Sequence, residues 1–199
     1  MTMSPFNTQG TAILLGAGFS TRFGQDKRII ELQSKPLLSY TARLYSNVFS
    51  DTVLVLRDTD NSLSKLVPED IEIVYTDRAQ YGISESIKAG LNVRLETSWV
   101  VIGLIDMPFV KSITLHLLRD QMMKSPQQIV RLRYRNRPGN PVGIPKQYYS
   151  SLLSLTGDQG ARKFFTQWEA NTLVLDVVDG GIHRDIDTQE DWLEYSKCS

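Results

Sequence analysis

The chain is short of cysteine and carries no net charge. One cysteine, Cys198, stands among 199 residues, so no disulfide can form within the chain, which fits a reducing compartment such as the cytoplasm. Lysine and arginine together number 22, and so do aspartate and glutamate, which gives a formal net charge of zero. This balance offers no electrostatic attraction to nucleic acid or to an anionic membrane, and we expect neither as a partner.

Long apolar segments are also missing. No stretch approaches the ~18 apolar residues that a membrane-spanning helix needs. Residues 1–10 are polar and lack the basic start and apolar run of a signal peptide, so we expect a flexible tail there. Residues 11–199 have the length and the ordinary composition, 41% hydrophobic and 22% charged, of a single globular domain.

Several common catalytic patterns are absent. The two histidines, His116 and His183, have no partner at metal-ligand spacing, so we expect no zinc site. The chain has neither the Gly-x-Ser-x-Gly elbow of a hydrolase nor the Gly-Lys-Ser/Thr of a P-loop. A dinucleotide fingerprint fits only halfway, because Thr21 occupies its third glycine position and its acidic residue is missing. An NAD-dependent oxidoreductase is therefore the weakest of the functions considered.

The most informative segment is the stretch from residue 11 to residue 27. An apolar strand at residues 12–15 runs into a glycine-rich loop whose main chain can close on a phosphate. Two cations of the loop, Arg22 and Lys27, suit a ligand with several phosphates. The segment predicts a nucleotide site, although an ordinary turn between a strand and a helix can have the same composition. Its candidate binding residues are Leu15, Gly16, Ala17, Gly18 and Ser20.

Apolar strands alternate with helical patterns along the chain. We predict strands at 12–15, 52–56, 71–75, 99–104, 129–134 and 173–177, and an extended segment at 140–145. We predict helices at 36–47, 61–66, 83–94, 113–123, 147–153 and 160–168, and a last one after Thr188. This rhythm predicts a three-layer α/β fold, Rossmann-like, with a mostly parallel sheet and helices on both faces. Ligands of such sheets bind at the carboxyl ends of the strands, where the loops after the first and fourth strands should meet.

Acidic residues stand after the fourth predicted strand and before the last helix. Asp106 follows the strand at 99–104, where a carboxylate is well placed to hold Mg²⁺, although it can also cap the next turn. Asp185 and Asp187 alternate along an extended segment, so both can face one site, and Asp187 is a second candidate metal ligand. They can equally be start signals of the last helix.

The predicted helix at 83–94 opens with small residues. Gly82, Ser84 and Ser86 bring free N–H groups and hydroxyls to the first turn, which can meet a nucleotide. Ordinary capping by Ser84 explains the same pattern.

Six segments, in order, resemble the signatures of MobA-like nucleotidyltransferases over residues 11 to about 192. Residues 15–27 are similar to Leu-x-x-Gly-x-Ser-x-Arg-Met-Gly-x-x-Lys, with Phe23 in place of Met. Residues 82–90 resemble Gly-Met-x-x-Ser-x-x-x-Gly, and residues 105–108 resemble Gly-Asp-Met-Pro, with Ile105 in place of Gly. Residues 139–142 resemble Gly-His-Pro-Val, with Asn140 in place of His. Residues 157–162 and 185–188 resemble Gly-Asp-x-Gly-Ala-Arg and Asp-Ile-Asp-Thr. The closest branch is the molybdenum cofactor cytidylyltransferases.

The resemblance implies a Mg²⁺-dependent nucleotidyltransferase of the nucleotide-diphospho-sugar transferase fold, with one such domain over residues 11–199. A phosphate oxygen of the acceptor attacks the α-phosphorus of an NTP, and pyrophosphate leaves. The implied substrates are CTP and molybdopterin, and the recipient molybdoenzyme is a further possible partner. Arg22 and Lys27 would stabilise the phosphates, and Asp106, together with Asp187, would hold the metal.

The same resemblance assigns the two ends of the substrate site. It puts the base and ribose at the glycine loop and at the segment of residues 82–90, where Gly82, Ser86 and Gly90 match the family pattern. It puts the acceptor at Asn140 and at Arg162, whose guanidinium would attract an anionic pterin phosphate. We expect main-chain groups of residues 15–17 and 82–86 to discriminate the base.

The departures from the family pattern leave alternatives open. Gly16 stands where the cytidylyltransferase branch often has Ala, so a guanylyltransferase or another NTP transferase of the family is an alternative. The changes at Ile105 and Asn140 also leave open a nucleotide- or cofactor-binding assembly factor without catalysis.

Overall fold

The computed structural model describes residues 10–196 and contains nine strands. Two short strands, β2 (Glu31–Leu32) and β3 (Lys35–Pro36), form an antiparallel pair of their own. The others are β1 (Gly10–Leu15), β4 (Thr52–Arg57), β5 (Glu72–Thr76), β6 (Trp99–Leu104), β7 (Ile129–Tyr134), β8 (Arg137–Pro145) and β9 (Thr172–Asp176).

These seven strands form one sheet in the spatial order β5-β4-β1-β6-β8-β7-β9. Strand β8 runs antiparallel to both of its neighbours, and the other neighbouring pairs are parallel. The mostly parallel sheet predicted from the sequence is confirmed. Strands β1 and β6 are direct neighbours, paired from Gly10 with Trp99 to Leu15 with Leu104, so the loops that follow them meet at one edge of the sheet.

Helices cover both faces of the sheet, as predicted. The α-helices are α1 (Leu37–Ser46), α2 (Ile83–Asn92), α3 (Ser112–Lys124), α4 (Tyr149–Leu153) and α5 (Gln189–Ser196). Helices α1 and α3 pack with one apolar cluster, and α2 and α4 pack with another on the opposite face. Within the part of the chain that the structure describes, no helix is long and apolar enough to cross a membrane.

Strand β1 contributes to both apolar clusters because its side chains alternate between the two faces. Ala12 and Leu14 pack on the side of α1, and Ile13 and Leu15 pack on the side of α2. All four residues are buried. A strand covered on both faces reads as a continuous apolar run, which is why residues 12–15 are recognisable in the sequence.

Most predicted elements lie within about two residues of the observed ones. The short helix predicted at 61–66 is a 3-10 helix, Asn61–Leu66, and three further features differ. The segment predicted as a helix at 160–168 forms only a 3-10 helix, Ala161–Phe164, and beyond it Trp168 packs on Tyr148 and Phe165 lies under Arg131. The extended segment predicted at 140–145 begins earlier, at Arg137, as the second strand of a hairpin. Gly10, assigned to the tail, belongs to β1. Residues 1–9 and Cys198 lie outside the described residues.

Gly90 lets α2 approach the sheet closely. A Cβ atom at this position would lie 2.4 Å from Cγ2 of Ile13 and 2.9 Å from Cγ2 of Val55. Both side chains are buried in β1 and β4 and have no room to retreat. The last glycine of the segment at 82–90 therefore serves helix–sheet packing.

We predict that Gly90→Ala destabilises the fold by about 1–3 kcal/mol, because the added methyl group overpacks the core. This loss outweighs the gain in helix propensity of about 1 kcal/mol. Urea denaturation measures the free energy of unfolding of the variant and of the wild type. Gly160→Ala is the matched control, since a Cβ there meets nothing within 4 Å, and it should lose no stability. Equal stabilities of the two variants would contradict the packing role of Gly90.

Candidate functional site

A cleft of about 460 Å³ opens at the carboxyl ends of β1 and β6, on the side of the sheet that α2 covers. The glycine-rich loop, the first turn of α2 and the loop after β6 line it. The structure therefore brings most of the predicted site residues together, namely Leu15, Gly16, Ala17, Gly18, Ser20, Arg22, Lys27, Gly82, Ser86, Asp106 and Asp187.

The ammonium group of Lys27 is the centre of the site. Its Nζ donates to Oδ2 of Asp106 at 2.7 Å, to Oδ1 of Asp187 at 3.0 Å and to the carbonyl oxygen of Ile186 at 2.8 Å. The side chain of Lys27 is only 10% exposed. One buried cation thus joins the loop after β1, the loop after β6 and the segment before α5.

The surroundings of Lys27 keep it charged. Burial lowers the pKa of the ammonium, but the charge of Asp106 and the hydrogen bonds to Asp106 and Asp187 raise it by more, so the net pKa lies above the ordinary value of 10.5. Arg22 adds a second positive charge, since its Nη2 lies 2.7 Å from Oδ2 of Asp187. The Arg22 side chain is 73% exposed and free to turn toward a ligand.

Main-chain hydrogen bonds hold Asp187 beside Asp106. The N–H of Ile186 donates to the carbonyl oxygen of Asp106 at 2.9 Å, which aligns the two segments. Asp191 then accepts from the N–H groups of Asp187 and Thr188, and its own N–H donates to the Thr188 hydroxyl. This is the predicted capping arrangement, with Asp in the position of Glu. The start of α5 therefore positions Asp187 as well as beginning a helix.

The carboxylates of the cleft fit a divalent cation with oxygen ligands. Oδ1 of Asp106 is buried and accepts no hydrogen bond from any described residue. Partial burial, and then the charges of Asp187 and Asp106, raise the pKa of nearby Asp185, so negative charge is concentrated here. Within residues 10–196 no group of three or more His, Cys, Asp or Glu residues has metal-binding geometry. Two carboxylates suit Mg²⁺, which usually takes its other ligands from water and substrate phosphates.

A buried ion-pair network that the sequence patterns did not reveal supports the glycine loop. Arg28 is 1% exposed, and its guanidinium donates to Asp26, to Asp60 and to the carbonyl oxygen of Gly16. Burial raises the pKa of Asp60, which the hydrogen bonds and charge of Arg28 lower in part. Arg57 binds the same carboxylate. Asp60 lies 32 residues from Arg28, and no short motif connects the two.

Both main-chain polar groups of Gly16 are hydrogen-bonded within the protein. Its N–H donates to the carbonyl oxygen of Val55 at 2.9 Å, and its carbonyl oxygen accepts from Nη1 of Arg28 at 2.9 Å. A Cβ at Gly16 would point at the core, 3.1 Å from Leu54. The choice between Gly and Ala at this position therefore concerns packing against β4. Among the described loop residues, Ala17 and Gly18 retain unpaired main-chain groups.

The opposite wall of the cleft is built from two segments in close contact. Gly82 has a φ of +105°, and a Cβ there would lie 2.2 Å from the carbonyl carbon of Gly157. The N–H of Ser84 donates to the carbonyl oxygen of Gly157 at 3.2 Å. Asp158, which we did not predict as a site residue, faces the cleft as a result. The predicted Ser84 does not line it, because its hydroxyl is buried, without a partner among the described residues.

Asn140 and Arg162 also lie outside this cleft. Asn140 is exposed on β8, and Arg162 is exposed on the 3-10 helix Ala161–Phe164. Near Arg162, the guanidinium of Arg131 stacks on the ring of Phe165, 4.0 Å from its centroid. Burial and the positive charge of Arg162 lower the pKa of Arg131. Two cations thus lie close together away from the glycine loop.

We predict that Arg28→Met destabilises the protein by about 3–5 kcal/mol, as expected when one partner of a buried ion pair is removed. The loss of stability should fall near the lower end of this range because Arg57 still binds Asp60. Arg43→Met is the control, since its pair with Asp70 is half exposed and should contribute no more than about 1 kcal/mol. Chemical denaturation of both variants measures the difference, and equal losses would contradict a supporting role for Arg28.

Solved structures with the same architecture cover nearly the whole chain. The Rv0371c homolog from Mycobacterium sp. strain JC1 has a TM-score of 0.84 at 23% identity, covering 96% of each chain. A manganese complex of Rv0371c from Mycobacterium tuberculosis H37Rv has a TM-score of 0.81 at 23% identity, covering 96% of this chain and 100% of that one. Molybdopterin-guanine dinucleotide biosynthesis protein A from Archaeoglobus fulgidus has a TM-score of 0.68 at 20% identity, covering 94% and 97%. These matches establish the fold.

The family is shown by the sequence itself. No curated protein matches the sequence significantly. The sequence model of the family described as "MobA-like NTP transferase domain" matches residues 12–172, which include the glycine loop, Lys27 and Asp106. The chain therefore belongs to the MobA-like NTP transferase family of nucleotidyltransferases.

Proposed function

We propose that this protein is a Mg²⁺-dependent cytidylyltransferase that transfers CMP from CTP to the phosphate of molybdopterin. An acceptor phosphate oxygen forms a bond to the α-phosphorus, the bond from the α-phosphorus to the bridging oxygen breaks, and its electron pair leaves with pyrophosphate. The observation that carries this proposal is the buried Lys27 ammonium held between Asp106 and Asp187, beside the glycine loop.

Lys27 and Arg22 are assigned to the phosphates. Both cations lie in the loop that follows β1, and Lys27 is already oriented by three hydrogen bonds. Fixed positive charges stabilise the charge that develops on a leaving pyrophosphate, and they need no rearrangement at the moment of reaction. The unpaired N–H groups of Ala17 and Gly18 can add hydrogen bonds to the same phosphates.

Asp106 and Asp187 are assigned to the divalent cation. The unpartnered buried oxygen of Asp106 supports this assignment, and the manganese complex of Rv0371c shows that a protein of this fold takes such an ion. When bound, the cation supplies charge neutralisation for the phosphates. The two carboxylates would hold it, and the hydrogen bonds of the Ile186 main chain keep their segments together.

The acceptor is assigned to the region beyond β6, toward β8 and β7. Asn140, Arg162 and Arg131 lie on that side, and the two guanidiniums can attract an anionic acceptor. The choice of CTP and molybdopterin rests on the segment at 157–162, which resembles the cytidylyltransferase branch. The Archaeoglobus relative of the same fold is, by its name, a molybdopterin-guanine dinucleotide biosynthesis protein. We place the reaction in the cytoplasm, with the recipient molybdoenzyme as a further partner.

We predict that Lys27→Ala and Asp106→Asn each lower turnover by about 100-fold or more, because each removes a group that stabilises transition-state charge. Pyrophosphate release from Mg²⁺-CTP and molybdopterin measures this. Lys65→Ala is the control, since Lys65 is exposed outside the cleft. Mn²⁺ binding, followed by electron paramagnetic resonance, should weaken in Asp106→Asn. Near wild-type turnover in that variant would remove the metal role of Asp106.

The same assay separates catalysis from simple binding. Nucleotide binding without pyrophosphate release for any pairing of NTP and acceptor would favour the non-catalytic assembly factor over the transferase.

We predict that CTP gives the largest Mg²⁺-dependent thermal shift of the four NTPs. A ligand that binds only the native state adds about 2.7 kcal/mol at 100 times its Kd. The shift should shrink in Arg22→Ala, which removes a phosphate contact without touching the core. A largest shift with GTP would instead point to a guanylyltransferase, and no shift with any NTP would contradict the nucleotidyltransferase assignment.

A further inference from the structure

We propose that the carboxylate of Asp158 reads the exocyclic amino group of the base and thereby selects cytosine over uracil. This inference rests on the proposed function and goes beyond it, because it names the side chain that sets base specificity. It also replaces the main-chain groups of residues 15–17 and 82–86, from which we expected base discrimination, with a side chain at the opposite wall of the cleft.

The glycine loop has few groups left with which to read a base. Both main-chain polar groups of Gly16 are paired, with Val55 and Arg28, and the carbonyl oxygen of Leu15 accepts from the N–H of Ile105 at 3.1 Å. The loop also carries the positive charges that line the cleft, Arg22, Lys27 and Arg28. It is therefore suited to phosphate binding, to which the unpaired N–H groups of Ala17 and Gly18 are also assigned, and we assign the base to the opposite wall.

The main chain at Asp158 packs against the start of α2 at the other wall. The contact between Gly82 and Gly157 leaves no room for a side chain, and Ser84 donates its N–H to Gly157. Asp158 comes next in the chain, so its main chain is fixed against the first turn of α2. This anchored main chain keeps the exposed side chain of Asp158 at the wall of the cleft.

The chemistry of the Asp158 carboxylate limits the kinds of ligand group that it can bind. Its carboxylate lines the cleft, and within residues 10–196 no donor reaches it. An ionised carboxylate only accepts hydrogen bonds, and it repels phosphates. The ligand group it meets must therefore be a donor. Cytosine presents an amino group where uracil presents a carbonyl oxygen, so the carboxylate attracts the first base and repels the second.

Gln80 complements this arrangement. It lies at the same wall, two residues before Gly82, and it is exposed and lines the cleft. Its amide carries both donors and an acceptor. It can donate to the ring nitrogen or carbonyl oxygen of the base while Asp158 accepts from the amino group.

The test compares CTP and UTP, which share the same ribose and triphosphate. We expect the wild-type protein to bind Mg²⁺-CTP at least tenfold more tightly than Mg²⁺-UTP, as measured by calorimetry, because a hydrogen bond to a charged group discriminates by about this factor. Asp158→Asn should bring the ratio close to one or invert it, because its amide can turn a donor toward the uracil oxygen. Asp77→Asn, an exposed acid that does not line the cleft, should keep the wild-type ratio.

The outcomes separate this inference from the proposed function. An unchanged ratio in Asp158→Asn, with CTP still bound, overturns the role of Asp158 and leaves the transferase intact. Equal weakening of CTP and UTP places Asp158 at the ribose and overturns base reading as well. If the wild-type protein binds neither nucleotide, the proposed function fails and the inference fails with it. The melting temperature of the free variant, expected to match the wild type, shows that folding is not the cause.

Discussion

The site depends on one interaction, the hydrogen bonding of the Lys27 ammonium to Asp106, Asp187 and the Ile186 carbonyl. These partners lie 79 to 160 residues from Lys27 in the sequence. The sheet makes the meeting possible, because β1 and β6 are neighbours and end at the same edge. The segment before α5 is attached there by a hydrogen bond between Ile186 and Asp106. A charged group buried this deeply needs all of its partners, so the ion pairs fix the relative positions of the three segments.

The fold was largely predictable from the sequence because its strands are buried on both faces. Residues 12–15 and 99–104 are continuous apolar runs, and a strand covered by helices on both sides requires such a pattern. The helix predicted at 160–168 was wrong for most of its length. There Trp168 packs on Tyr148 and Arg131 stacks on Phe165, and these contacts with distant residues are not visible in the local spacing.

The site was predictable where its residues belong to short motifs and hidden where they depend on distant partners. The loop of residues 15–27 and Asp106 were found from local patterns, and they meet in the cleft. Arg28 was missed because its partner Asp60 follows a different strand. Asp158 was missed because its place in the cleft depends on the contact of Gly157 with Gly82, which is 75 residues earlier in the sequence. Ser84, chosen from its place in a motif, faces the interior instead.

The charges of the cleft explain why, under the proposed function, nucleotide and divalent cation should bind together. Three arginine or lysine side chains line the cleft, Arg22, Lys27 and Arg28, and so do three aspartates, Asp106, Asp158 and Asp187. Each of these positive charges is already in an ion pair. Arg28 is paired with Asp26 and Asp60, and Arg22 and Lys27 are paired with the carboxylates of the cleft. A triphosphate that draws Lys27 and Arg22 toward itself would leave Asp106 and Asp187 unpaired beside its own negative charge. A divalent cation held by the two carboxylates would remove this repulsion. The ion pairs of the free protein thus hold the two carboxylates ready for the cation and the two basic side chains ready for the phosphates.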